Sequence, residues 1–168
     1  MLGCLVAQLG VARADDTRLS DAHARDSTTL YLATTWSPGP TVPIRIGADA
    51  AMRFQRRFAL ELRLGAGGAG SVLGISSQIA WHAGLSAGVA LPIGGRVVLV
   101  PMVAYDYHGL RDADGRLFAV HEATIELPIA IVLARGAVLE PYVQAGVSRY
   151  SGSTDWAIVV GPRIGIVL

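Results

Sequence analysis

From about residue 28 onward, apolar side chains alternate with polar or small ones at a period of two. Successive side chains of a strand point to opposite faces, so this pattern describes a sheet with two chemically different surfaces. Arg57 to Leu64 is the clearest run: Phe58, Leu60, Leu62 and Leu64 take one face, and Ala59, Glu61 and Arg63 the other. The preceding segment sets Val42, Ile44, Ile46, Ala48, Ala50, Met52 and Phe54 against Arg45, Gly47, Asp49 and Arg53, meeting the first run at Gln55-Arg56-Arg57. The alternation recurs over 77–93, 96–108, 117–133, 138–150 and 155–168, with a weaker first strand near 28–36. Eight strands result, and no stretch sustains a helical period. The fold class is all-β, an antiparallel up-and-down meander. Pro101 is out of place in a central strand, because proline cannot donate to a ladder.

Connection lengths alternate as well. Links at 55–57, 94–95 and 134–137 are tight, those at 65–76 and 109–116 are long and rich in Gly or Asp, and 37–41 and 151–154 are intermediate. Short turns therefore gather on one rim of the sheet and longer loops on the other. Mean hydropathy is +0.45, yet no run approaches the ~20 uninterrupted apolar residues of a spanning helix. A hydrophobic surface made of strands reconciles the two observations.

Three features put the apolar face outside. The polar parity is crowded with Gly and Ala (Gly65, Ala80, Gly84, Gly88, Gly146, Gly161, Gly165), which suits the narrow interior of an eight-stranded barrel better than a wetted surface. The apolar parity carries almost no charge in mid-strand, as a lipid-facing band requires. Aromatic residues stand near strand ends, Phe54 and Phe58 beside a tight turn and Tyr105, Tyr107, Tyr150 and Trp156 beside the longer loops, as two interfacial girdles would. Trp81 is the exception, nearer mid-strand.

Residues 1–14 have the outline of a secretory signal peptide: an apolar stretch from Leu2 to Ala12, then Ala12-Arg13-Ala14 as a small-x-small cleavage site. Cleavage there removes the single cysteine, Cys4, and leaves 15–27 as a polar lead-in to a barrel domain over 28–168. These residues resemble the small eight-stranded outer-membrane β-barrels of bacteria, the group that includes the outer membrane protein A transmembrane domain. The likeness rests on the signal peptide, the dyad repeat, the strand count and phrases such as Leu139-Glu140-Pro141-Tyr142-Val143 and Gly161-Pro162-Arg163-Ile164-Gly165. It implies an outer-membrane location, with membrane lipids and the barrel assembly machinery as partners. One departure is the aliphatic ending Ile164-Gly165-Ile166-Val167-Leu168, where such barrels usually finish on an aromatic residue.

With the apolar face outward, Arg45, Arg53, Arg63 and Arg163 point into the barrel together with Asp49, Glu61, Glu122, Glu126 and Glu140. Neither sign is tolerable there alone, so paired charges filling the lumen are expected, with little or no conductance. Loops 65–76 and 109–116 are the expected contact surfaces for an extracellular ligand. A net charge of +1 gives no footprint for nucleic acid. No cofactor or metal motif stands up. Gly65 to Gly70 matches a dinucleotide fingerprint but is followed by no helix or ribose-binding acid, and Asp112-Ala113-Asp114-Gly115 lacks the closing Glu of a calcium loop. Two other readings remain open. One is a lipid A-modifying enzyme built on His82, His108 or His121 with Ser86; the other is a secreted soluble barrel holding an apolar ligand.

Overall fold

The computed structural model describes residues 22–24, 27–37, 44–56, 58–71, 74–111, 114–134, 136–150 and 152–168. For 35–37, 44–47, 68–71, 74–80, 110, 118, 134 and 150 only the backbone is described. The expected signal peptide and residues 15–21 of the lead-in lie outside the described residues.

Ten strand segments form the chain: β1 (Ser27–Ser37), β2 (Ile44–Gln55), β3 (Ala59–Ser71), β4 (Gly74–Gly88), β5 (Leu91–Gly94), β6 (Val97–Leu99), β7 (Met102–Arg111), β8 (Leu117–Ala134), β9 (Ala137–Tyr150) and β10 (Ser153–Val167). Every pairing is antiparallel, and neighbours in sequence pair in turn until β10 returns to β1, which closes the barrel. β4 with β5, and β6 with β7, each make one continuous stave, so the barrel has eight. The interruptions face each other around Val89 and Pro101. Pro101 and Pro128 have no N–H to give, so Val89 N donates to Pro101 O at 3.2 Å and Val100 N to Pro128 O at 3.0 Å without extending the ladder. The sequence reading of 96–108 as one strand is corrected to a stave broken at 100–101, whose register is the same on both sides.

The register sets the shape of the barrel. Ser27 pairs with Gln55, and the row continues through Ala59, Gly88, Met102, Glu126, Gln144 and Val159. Because Val160 pairs with Trp36, Val159 returns the row to Ser37, so one circuit climbs from 27 to 37, a stagger of ten residues. Eight strands with that stagger tilt about 40° and enclose a backbone cylinder of roughly 8 Å radius, a space that side chains can fill.

Two expectations about loops are corrected. The Gly-rich stretch expected as a loop over 65–76 is strand: β3 runs on to Ser71, β4 starts at Gly74, and the link lies at 72–73. A Cβ at Gly65 would collide with the Asp49 carboxylate and the His82 ring, so glycine here fits a wall against crowded side chains rather than a mobile loop. Likewise 109–111 belong to β7, which shortens the link to 112–116. The two rims therefore differ less in link length than expected. At the tight-link rim the turn at Gly94 and Gly95 uses positive φ at both positions. Residues 22–24 of the expected unstructured lead-in form a helical turn, with His23 and Ala24 buried.

Burial follows parity along the described staves except in β5, where Leu91 to Gly94 are all exposed. Leu32, Leu62, Leu64, Ile125 and Ile164 are exposed, and Arg53, Glu61, Glu126, Glu140 and Arg163 are buried. This is the inverse of a water-soluble barrel.

Candidate functional site

The interior is arranged in tiers. Nearest the tight-link rim, Ala51, Ala59, Val98, Val100, Met102, Ala130 and Val138 cluster with Ala24 and Tyr31. Above them lie three guanidiniums, Arg53, Arg63 and Arg163, among Glu61, Glu126 and Glu140. None of these six is more than 5% exposed.

Two ion pairs lie between directly paired residues, Arg53 with Glu61 and Arg163 with Glu140. A third, Arg63 with Glu61 at 3.7 Å, lies along β3, and others reach between staves that are not neighbours. Arg53 of β2 donates Nη2 to Glu140 Oε1 of β9 at 2.9 Å, and Arg163 of β10 donates Nη1 to Glu61 Oε1 of β3 at 2.9 Å. Arg163 also bonds Glu126 of β8, and Arg63 of β3 holds both oxygens of that carboxylate at 2.9 Å. Arg63 Nη2 reaches Ser86 Oγ at 2.8 Å and Asp106 Oδ2 at 3.2 Å. Two tyrosines complete the tier: Tyr31 lies 4.8 Å from the Arg53 guanidinium, and Tyr142 lies 3.9 Å beneath that of Arg163. Each is placed to offer its π-face to a desolvated cation.

Toward the other rim the tier changes composition. Gln144 Nε2 donates to Asp106 Oδ2 at 2.8 Å and to Thr124 Oγ1 at 2.7 Å. His82 Nε2 lies 3.3 Å from Asp49 Oδ1 and His108 Nε2 lies 3.0 Å from Glu122 Oε2, with the two imidazoles 5.2 Å apart. Of the interior residues expected from sequence, Asp49, Arg53, Glu61, Arg63, Glu122, Glu126, Glu140 and Arg163 are all buried on the inner wall. The side chain of Arg45 lies outside the described residues. Sequence reasoning leaves out Asp106, His108, Ser86, Gln144, Tyr31 and Tyr142 from this network. All but Tyr31 fall on the polar or small-residue parity of their strands, so that signal is present in the sequence for them.

On the outer wall, Phe54 and Phe58 stand exposed at the tight-link rim, and Tyr105 and Trp156 are exposed near the opposite one. Trp81 joins the second group: its ring is 5.4 Å from Tyr107 and covers Gly109, where a Cβ would strike the indole. It stands seven residues into β4 and yet at the girdle, because β4 starts well beyond the level at which Trp81 pairs with Gly109 near the end of β7. The Tyr150 side chain lies outside the described residues. Between the two groups the outer wall spans nine or ten tilted residues, roughly 24 Å.

No protein-family model and no curated protein matches the sequence. Solved structures do match. The crystal structure of Neisserial surface protein A is similar at a TM-score of 0.62, with 5% identity over 83% of this chain and 95% of that one. Ail, the attachment invasion locus protein of Yersinia pestis, is similar at 0.56, with 8% identity over 85% and 97%. A major outer membrane protein from Thermus thermophilus is similar at 0.51, with 12% identity over 86% and 100%. The fold is that of the small eight-stranded outer-membrane β-barrels.

Within this outer-membrane barrel fold the serine–histidine combination considered from sequence is not assembled. Ser86 is held by Arg63 and lies 3.2 Å from Glu126, while His82 associates with Asp49. His121 and Glu122 point to opposite walls, the first exposed beside Tyr105 and the second buried with His108. Among the described residues no three His, Cys, Asp or Glu side chains converge as metal ligands.

The helical turn at the tight-link rim adds a titratable group. Ser27 Oγ and Gln55 Nε2 both donate to His23 O at 2.7 Å, drawing the turn against the barrel. The His23 ring nitrogens have no hydrogen-bond partner among the described residues, and burial, aided by the nearby Arg53 charge, lowers its pKa to about 4. The unfolded chain then binds a proton near pH 6.5 that the folded one refuses until about 4. Stability from this group is complete above pH 6.5 and declines as pH falls toward 4, by about 3 kcal/mol in all. Urea unfolding of wild type and His23→Gln across that window is expected to show the extra decline in the wild type only.

Proposed function

We propose that the protein is an outer-membrane barrel with a structural or cell-surface interaction role, and that its lumen passes few or no ions. The observation that carries this reading is the paired inversion of the walls: aliphatic side chains exposed along the outer surface, and guanidiniums and carboxylates buried together inside. Lipid contact makes such an outer wall favourable, and charge on it would cost about 2–4 kcal/mol per cation at mid-depth. The soluble-barrel alternative requires the opposite distribution. The fold resemblance to Neisserial surface protein A and to Ail supports the location; a shared fold alone does not transfer an activity.

The role is taken to be non-enzymatic because Ser86, the serine weighed with the histidines from sequence, is committed to Arg63 and Glu126. Membrane lipids and the assembly machinery remain the expected partners. The outer contact surface is reassigned to the ends of the β3–β4 hairpin and the link 112–116, since most of 65–76 is strand. Cell fractionation with heat-modifiable gel migration, followed by planar-bilayer recording of purified protein, tests both halves. The expected outcome is an outer-membrane fraction, a folded band that shifts on boiling, and no persistent single-channel steps. Large sustained currents would reject the closed lumen, and recovery as a detergent-free soluble protein would reject the location.

A further inference from the structure

We propose that the outward face of β7, β8 and β9 at the upper aromatic girdle holds the phosphomonoester head group of a lipid. The site is a lateral row. Tyr107 of β7 pairs with His121 of β8, and His121 pairs with Arg149 of β9. His121 and Arg149 are exposed on the outer wall. The Tyr105 hydroxyl lies 2.6 Å from His121 Nδ1, and the Tyr107 ring packs edge-on to the imidazole at 5.2 Å. With the tyrosine hydroxyl donating to Nδ1, the neutral ring keeps its proton on Nε2, so that nitrogen is the one left to donate to a ligand. Arg149 is exposed beside it, and a guanidinium there presents a planar fork of donors that matches the oxygens of a tetrahedral anion.

Charge and position select the occupant. Arg111 and Arg116 are exposed on the same side; of the acidic residues described near this rim, Asp114 is exposed on the adjoining link and Asp155 of β10 is half-buried and accepts from Trp156 N, so with Arg149 the outward balance favours an anion. The neighbours of this row on the membrane side of the outer wall are apolar: Val147, Ala123 and Ile125. Below the row an anion would meet hydrocarbon, and at the row it meets two donors at the height where Trp81 and Trp156 mark the interface. A doubly charged, tetrahedral phosphomonoester attached to acyl chains satisfies both conditions. A zwitterionic head group brings its own cation toward Arg149, and a free anion gains nothing from the apolar wall beneath.

The inference rests on the membrane reading above, so its test must separate the two. The full chain is incorporated into phosphatidylcholine nanodiscs containing a minor fraction of phosphatidic acid, and retained lipid is counted by native mass spectrometry. Wild type is expected to enrich phosphatidic acid about tenfold over its bulk fraction, the scale of one charge-assisted hydrogen bond. Arg149→Gln and His121→Gln should each bring enrichment close to the bulk value, while Arg56→Gln, at the opposite rim, should retain it. Equal enrichment in wild type and Arg149→Gln overturns the site, as does displacement by inorganic phosphate at matched concentration. Failure of the wild type to enter nanodiscs overturns the membrane reading and this site with it. Normal entry with unselective retention overturns the site alone.

Discussion

Arg163→Met is expected to lower the unfolding free energy of the barrel by about 3–5 kcal/mol. The guanidinium is almost fully enclosed, with hydrogen bonds to Glu61 and Glu140, a close contact to Glu126 and the Tyr142 ring 3.9 Å away. Methionine replaces much of the volume, so the loss is mainly electrostatic. Glu61, Glu126 and Glu140 are left to share Arg53 and Arg63, and at least one carboxylate is stranded without adequate compensation. Urea unfolding of the refolded protein in detergent measures the change. Adding Glu126→Gln to Arg163→Met should restore about 1–2 kcal/mol, because it removes the charge that lost its partner. A single-substitution cost below about 1 kcal/mol would mean that water screens the interior, and the closed-lumen proposal would fall with it.

The second large effect is on the outer wall. Leu62 sits midway along the apolar band of β3, paired with Met52 and Leu85 and 52% exposed. Leu62→Arg is expected to cost about 2–4 kcal/mol in a bilayer and to leave most of the protein unassembled, read as loss of the heat-modifiable band from the membrane fraction. Ala59→Ser, only three residues away but on the inner wall at the rim, should assemble nearly as well as wild type. Equal damage from the two changes would contradict the assignment of the walls, and a soluble, folded Leu62→Arg protein would contradict membrane residence.

Most of the barrel is legible in the sequence because one wall is nearly uniform. When every second residue is aliphatic, strand identity, strand count and the inner position of residues such as Glu61 and Arg163 all follow from parity. Parity does not say who meets whom across the lumen. Arg53 pairs with Glu140 and Arg63 with Glu126 because of the stagger of ten, and that stagger depends on hydrogen-bond registers between strands distant in sequence. Misreadings arise where a residue type carries two meanings. Gly65 to Gly70 reads as a loop, since glycine marks turns more often than strands, yet at Gly65 it relieves crowding against Asp49 and His82. Pro101 stands out in the sequence, but its effect depends on Pro128 lying on the neighbouring strand, which no local pattern reveals. The turn at 22–24 leaves no sequence signal because three residues are too few to show a period.

The cross-lumen ion pairs bear on how the cylinder avoids closing in the wrong alignment. A slip of one residue between staves would turn aliphatic side chains inward and is penalised at once, but a slip of two keeps every oily row facing lipid. That second error displaces one stave by roughly 6.6 Å, more than an arginine fork can span while keeping its bonds to a carboxylate. Arg53 and Arg163, tied to β9 and to β3 and β8 respectively, would each lose partners on staves that do not touch their own. The buried charges thus act as a checksum on alignment, rejecting mistakes to which a greasy exterior is blind.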